Sequence, residues 1–100
     1  MEEQALRLAA YAHIRAIAAH DLESAIAFVV IDEREQARAN LAAAVNTVID
    51  AEMDDVDVHG DDAVVRFRVR TSDPESPGVW LETIWRDSRE GPQLQVGYRI

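Results

Sequence analysis

The chain has 100 residues, a length typical of one domain with one hydrophobic core, so we expect a single domain over residues 1–100. Its formal net charge of −9 argues against binding nucleic acid or an anionic membrane surface, since both need clustered positive charge. Cysteine and lysine are absent, which excludes disulfides, thiolate nucleophiles, cysteine metal sites and lysine-based covalent or phosphate chemistry.

The compartment can be predicted from whether the sequence contains a signal peptide or a membrane-spanning segment. Residues 1–4 do not begin a signal-peptide pattern, and the most apolar segment, Ile26–Ile31, is far shorter than the ~20 residues that cross a bilayer. We therefore expect a cytoplasmic protein without a membrane segment. No residue pattern indicates a cofactor or a metal ion.

The first half of the chain has the apolar spacing of helices, beginning with one helix over residues 2–19. Its apolar stripe comprises Leu6, Ala10, Ile14 and Ile17. His20 then takes the linking position and Asp21 the N-cap of a second helix over residues 22–29. Val29–Ile31 would also suit a very short strand.

A third helix is predicted from Asp32 to Ile49. Asp32 and Glu35 have capping-box spacing, which marks its start. The residues expected to face the core are Leu41, Ala44, Val45, Val48 and Ile49.

The second half alternates apolar and charged residues, which is the period of β-strands. Four strands are predicted, over residues 53–58, 62–70, 79–86 and 93–100. Their expected inward residues are Val56, Val58, Val65, Phe67, Val69, Val79, Leu81, Thr83, Trp85, Leu94, Val96, Tyr98 and Ile100. The sequence thus predicts an α+β fold, with three N-terminal helices packed on a curved four-stranded antiparallel sheet.

Seven acidic residues crowd residues 50–62, a density that raises the question of calcium binding. An EF-hand loop starting at Asp55 would place Arg66 at the twelfth position, where a bidentate glutamate is needed. The run therefore predicts a solvated strand edge that discourages edge-to-edge pairing.

Arginine residues occupy alternate positions of the second strand, at Arg66, Arg68 and Arg70. They would suit an anion site, or they would pair across strands with nearby acids. The acids within reach are Asp55, Asp57 and Glu82. We favour cross-strand pairing, because acids outnumber bases in this chain.

Trp80, Ile84 and Val64 are expected on the sheet face away from the helices, where they would form an apolar patch. A small domain seldom exposes such a patch without a partner, and charged residues surround it. The predicted contact surface comprises Val64, Arg66, Arg68, Trp80, Glu82, Ile84 and Arg86. A one-residue slip at a bulge would instead hide Trp80 and expose Trp85.

Three stretches of the chain, Tyr11–Phe28, Asp32–Leu41 and Val56–Arg68 with the strands that follow, carry a family resemblance. With three helices followed by a curved antiparallel sheet, the chain resembles the nuclear transport factor 2-like superfamily. That is a cone-shaped α+β fold that includes ketosteroid isomerases and polyketide-cyclase-like proteins. The resemblance concerns the fold and not an activity. Members usually carry two extra strands between the second and third helices, so we expect the pocket of this chain to lack one wall.

The resemblance also supplies candidates for chemistry in the cone. Tyr11 lies where ketosteroid isomerases carry a tyrosine that donates to the substrate oxyanion. Asp32 is the nearest match for their general base, and His13 is a further titratable candidate. Ligand-binding candidates are Tyr11, Tyr98 and Trp85. The match is incomplete, so a lone tyrosine does not predict an isomerase.

Three functions follow as hypotheses. The first is a non-enzymatic or accessory binding module that forms a homodimer through the outer face of its sheet. The second is an enzyme or binder of a small apolar ligand that uses the cone interior near Tyr11. The third is an acidic protein that docks on a basic partner through residues 50–62.

Overall fold

A computed structural model describes residues 1–95 of the chain. Three helices come first: α1 (Glu3–Ala18), α2 (Leu22–Ile26) and α3 (Arg34–Ala42). Four strands follow: β1 (Val48–His59), β2 (Asp62–Thr71), β3 (Gly78–Arg86) and β4 (Gln93–Gln95). The second part of the predicted fourth strand, with Val96, Tyr98 and Ile100, lies outside the described residues.

The strands form one open antiparallel sheet in the order β1-β2-β3-β4. Because the helices precede it and pack on one of its faces, the predicted α+β class is confirmed. Two register shifts in β1, at Ile49 and Asp54, are bulges of the kind that bend a strand. Within residues 1–95 no helix combines the length and the hydropathy needed to cross a bilayer.

Helix α1 forms as its apolar spacing predicts, with Leu6, Ala10, Ile14 and Ile17 buried together with His13. The carboxylate of Glu2 accepts hydrogen bonds from the first-turn backbone and caps the helix.

The link between α1 and α2 also follows the prediction. His20 has a φ of 59°, the left-handed conformation common after a helix end. Asp21 caps α2 by accepting from the Ser24 N–H and hydroxyl, and these bonds lower the pKa of Asp21.

The second and third helices are shorter than predicted. Helix α2 ends at Ile26, and Val29 instead makes an isolated parallel bridge with Leu94, in line with the alternative of a very short strand. Asp32 lies in a short 3-10 turn, Ile31–Glu33, so it is not the N-cap of α3.

The predicted extension of α3 to Ile49 is wrong. Beyond Ala42 the chain makes a second 3-10 turn, Val45–Thr47, and enters β1. The β-branched residues from Val45 to Ile49 favour strand over helix, which explains the change. Ile49, predicted to be buried, is 53% exposed at the first bulge.

The strands alternate as predicted, so one sheet face packs on the helices. Trp85 and Phe67 are the largest fully buried side chains, and both point into this layer. No register shift interrupts the pairing of β2 with β3. Trp85 is therefore inside and Trp80 outside, and the alternative of a slipped face does not apply.

Candidate functional site

The strand face that points away from the helices carries the residues predicted to make contacts; we call it the outer sheet face. It comprises Asp50, Glu52, Asp55 and Asp57 of β1, Asp62, Val64, Arg66, Arg68 and Arg70 of β2, and Trp80, Glu82, Ile84 and Arg86 of β3. Its β1 column is acidic and its β2 column mainly basic. The sheet register therefore places a negative stripe beside a positive one.

Trp80 is the exposed aromatic residue of this face, with 45% of its surface accessible. The guanidinium carbons of Arg66 and Arg68 lie 5.5 Å and 5.7 Å from its ring centroid, within cation–π range. Both guanidinium groups are held in turn by acids, Arg66 by Glu82 and Arg68 by Glu52.

The apolar patch around Trp80 is smaller than the sequence suggests. Val64 and Ile84 are direct cross-strand neighbours, but both are half-buried beneath longer side chains. The exposed apolar part of the outer sheet face is therefore a single tryptophan, near the start of β3, with charged residues around it.

Every arginine of this face is paired across strands, which supports the cross-strand interpretation. Arg66 Nη2 lies 3.1 Å from Glu82 Oε1, as predicted. The remaining pairs are Arg68 with Glu52, Arg70 with Asp50 at 2.5 Å, and Arg86 with Asp62 at 2.9 Å. These pairs are exposed, so solvent and salt screening leave each with little effect on stability.

The predicted pairing partners Asp55 and Asp57 do not bond the arginines. Strand β1 begins at Val48 rather than at residue 53, which brings Asp50 and Glu52 opposite the arginines. Asp57 instead contacts the exposed His59, at 2.9 Å.

His13 is the titratable group inside the layer between helices and sheet. It is surrounded by three aromatic rings, Phe28, Phe67 and Trp85, with ring centroids 5.8–6.1 Å away. Its Nδ1 lies 2.9 Å from the carbonyl oxygen of Ala25. Because a carbonyl only accepts, Nδ1 carries the proton. Burial lowers the pKa of His13 to about 4, so the ring is neutral at pH 7.

Beside His13 is a cavity of about 20 Å³. Its walls are mostly apolar and include Ile17, Phe67 and Leu81, with Asn40 and Gln95 as polar neighbours. This volume is enough for a water molecule and far below the ~300 Å³ typical of ligand pockets. Between the described residues, the interior is almost filled.

The other predicted site residues do not come together around this cavity. Tyr11 is on the exposed side of α1, 53% accessible, with the Arg15 guanidinium 5.9 Å from its ring centroid. Asp32 is exposed in its 3-10 turn, and Trp85 is a fully buried core residue. Tyr98 lies outside the described residues. The proposed interior position of Tyr11 is therefore wrong, because it points outward from the helix.

Two features were missed from the sequence. Thr83 is a buried hydrogen-bond junction: its hydroxyl donates to the Val65 carbonyl and accepts from the Trp85 indole, both at 2.9 Å. Leu8 is 66% exposed on α1. The inward position of Thr83 between two apolar residues was a signal for the first. Within residues 1–95, no cluster of histidine and acidic side chains is arranged to hold a metal ion.

Comparison with solved structures places this architecture among known folds. An uncharacterised cystatin-fold protein from Novosphingobium aromaticivorans superposes with a TM-score of 0.67 at 18% identity, covering 92% of this chain and 95% of that one. A candidate dehydratase of the NTF2-like family from Streptomyces avermitilis superposes with a TM-score of 0.65 at 16% identity, covering 91% of this chain and 88% of that one. A candidate NTF2-like transpeptidase from Campylobacter jejuni superposes with a TM-score of 0.59 at 13% identity, covering 88% of this chain and 94% of that one.

No protein-family model matches the sequence, and no curated protein matches it either. At these identities the structural likeness identifies the fold and leaves the activity open. The element order, the sheet topology and the three superpositions agree. The chain therefore has the fold of cystatin-like and NTF2-like proteins, which confirms the resemblance seen in its sequence.

Proposed function

We propose that the chain is a binding module that forms a homodimer through its outer sheet face. The observation that carries this proposal is Trp80, exposed on that face with the guanidinium groups of Arg66 and Arg68 within cation–π range. Tryptophan and arginine are the residue types that most often dominate binding at interface centres. Tryptophan has only two side-chain dihedral angles, so it loses little conformational freedom on binding.

The charge pattern of the outer sheet face favours a second copy as the partner. The face carries acidic and basic groups side by side, so a twofold-related second copy can oppose unlike charges across the contact. Strands of nine to twelve residues at ~3.3 Å per residue and ~4.8 Å spacing give a flat area of roughly 500 Å². Allowing for side-chain relief, this approaches the lower end of the ~600–1,000 Å² that each partner buries in a stable interface.

Sedimentation equilibrium tests the proposal. The wild-type chain is expected to sediment as a dimer at about 100 µM, while Trp80→Asp sediments as a monomer at the same concentration. Leu8→Asp is the matched control, since it places the same charge at an exposed apolar position on the helix layer, and it should remain dimeric. A wild-type monomer, or a dimer unchanged by Trp80→Asp, would contradict the proposal.

A second candidate, binding of a small apolar ligand, is favoured by one observation. His13 is neutral, and its Nε2 makes no hydrogen bond within residues 1–95, so this atom is available to accept one from a ligand. The cavity beside it would have to widen at least tenfold to hold such a ligand. Titration with phenol while recording the His13 ring signals by NMR tests this candidate. Unchanged ring signals at about 10 mM phenol would eliminate it.

A further inference from the structure

Strand β1 leaves one long backbone edge open. It is the terminal strand of the sheet and spans Val48–His59, with β2 on one side only. On its other side, within residues 1–95, the only bonded backbone group is the Val48 carbonyl, which His20 Nε2 contacts at 2.7 Å. A row of unpaired N–H and C=O groups is a ready template for a further strand.

The packing of β1 is also incomplete on the side of the helices. Its inward residues Ala51, Met53, Val56 and Val58 are only half-buried. Their cross-strand partners Val69, Phe67, Val65 and Ala63 are fully buried. The core therefore ends at β1 with apolar side chains that one more strand would cover.

The charges of β1 decide which kind of strand fits. Asp54 and Asp55 are exposed, and neither forms an ion pair within the described residues. A second copy of β1 alongside the first would face this acidic row with an identical one, and like charges in opposition destabilise a strand pair. The complementary partner is a strand that carries positive charge.

We propose that the open edge of β1 binds an extended segment of another protein in which apolar residues alternate with lysine or arginine. The apolar side chains extend the half-buried row, and the basic side chains lie beside Asp54, Asp55 and Asp57. Pairing is regular from Asp55 to His59, beyond the second bulge, so this stretch is where the segment docks. This interaction uses the backbone edge of β1, whereas dimerisation uses side chains of the outer sheet face, and the two share Asp55 and Asp57.

A synthetic peptide of about ten residues that alternates valine with arginine is the probe. At one fixed protein concentration, peptide addition is expected to shift the amide NMR signals of β1, while those of α2 and α3 stay in place. A scrambled peptide of the same composition, an alternating valine–glutamate peptide and an alternately N-methylated version serve as controls. Each should bind at least about tenfold more weakly.

Two charge variants test the proposed contacts. Asp54→Asn with Asp55→Asn should weaken peptide binding at least about fivefold at low salt. Asp32→Asn with Glu35→Gln removes the same charge near the start of α3 and should leave binding unchanged. The proposal is overturned by absent binding at about 1 mM peptide, by shifts confined to the helices, or by equal binding of scrambled peptide. Concentration-dependent shifts at the β1 edge without peptide that persist in Trp80→Asp would assign the edge to a second copy instead.

Discussion

Lowering the pH below 6.5 should destabilise the fold through one residue, His13. In the folded chain the ring is enclosed by Phe28, Phe67 and Trp85, with no acidic side chain bonded to it. Its Nδ1–H already donates to Ala25, so protonation would put a charge on the buried ring with no hydrogen-bond partner for the new proton among residues 1–95.

The size and the pH window of the effect follow from the pKa of His13 in the unfolded chain, 6.5, and its pKa in the folded chain, about 4. Above pH 6.5 the ring is neutral in both the folded and the unfolded chain, so His13 contributes no pH dependence to stability. Between 6.5 and about 4 only the unfolded chain takes up the proton, so stability falls as the pH falls. The full loss is about 3 kcal/mol, at about 1.4 kcal/mol per pH unit in the middle of the window.

Urea unfolding followed by tryptophan fluorescence between pH 7.5 and pH 5 should show about 2 kcal/mol of this loss. That range stays above the titration of Asp21 and Glu23, whose pKa values are lowered by their hydrogen bonds. The loss of stability over this range should be smaller in His13→Phe than in the wild type by about this amount. Parallel curves for wild type and His13→Phe would refute the reasoning.

Three further substitutions test the packing, each read by urea unfolding at pH 7.5. Thr83→Val should cost about 2 kcal/mol, because it leaves the Trp85 indole N–H unpaired in the core and removes the hydroxyl bond to the Val65 carbonyl; a change under about 0.5 kcal/mol would contradict the junction. Asp21→Ala should lower the urea midpoint by removing the cap of α2, and an unchanged midpoint would show that the cap contributes nothing. Arg68→Ala should cost less than about 1 kcal/mol, because its ion pair is exposed, and a larger loss would show a structural role for the pair.

Strand faces could be predicted from the sequence because alternation has a fixed period. Val65, Phe67 and Trp85 could only be buried together if their charged neighbours faced water, and this fixed the outward position of Trp80. The turn at His20–Asp21 was predictable for a similar reason, since a left-handed residue followed by an N-cap has a local chemical signature.

The end of the helical region was harder to predict, because several effects compete there. Alanines up to Ala44 favour helix, the β-branched residues after it favour strand, and tertiary pairing with β2 decides between them. The resulting error moved the start of β1 by five residues and misplaced the acids opposite the arginines. Tyr11 was misplaced for a different reason: the resemblance supplied an interior role, whereas its position on α1 is on the exposed side.

The central claim, that Trp80 marks a surface on which two copies meet, is tested most directly by fluorine NMR. A chain labelled with 5-fluorotryptophan gives one signal from Trp80 and one from the buried Trp85, assigned with Trp80→Phe. Between about 1 µM and about 1 mM, the Trp80 signal should move with concentration while the Trp85 signal stays fixed. Two stationary signals over this range, with a monomeric mass at its upper end, would contradict the claim.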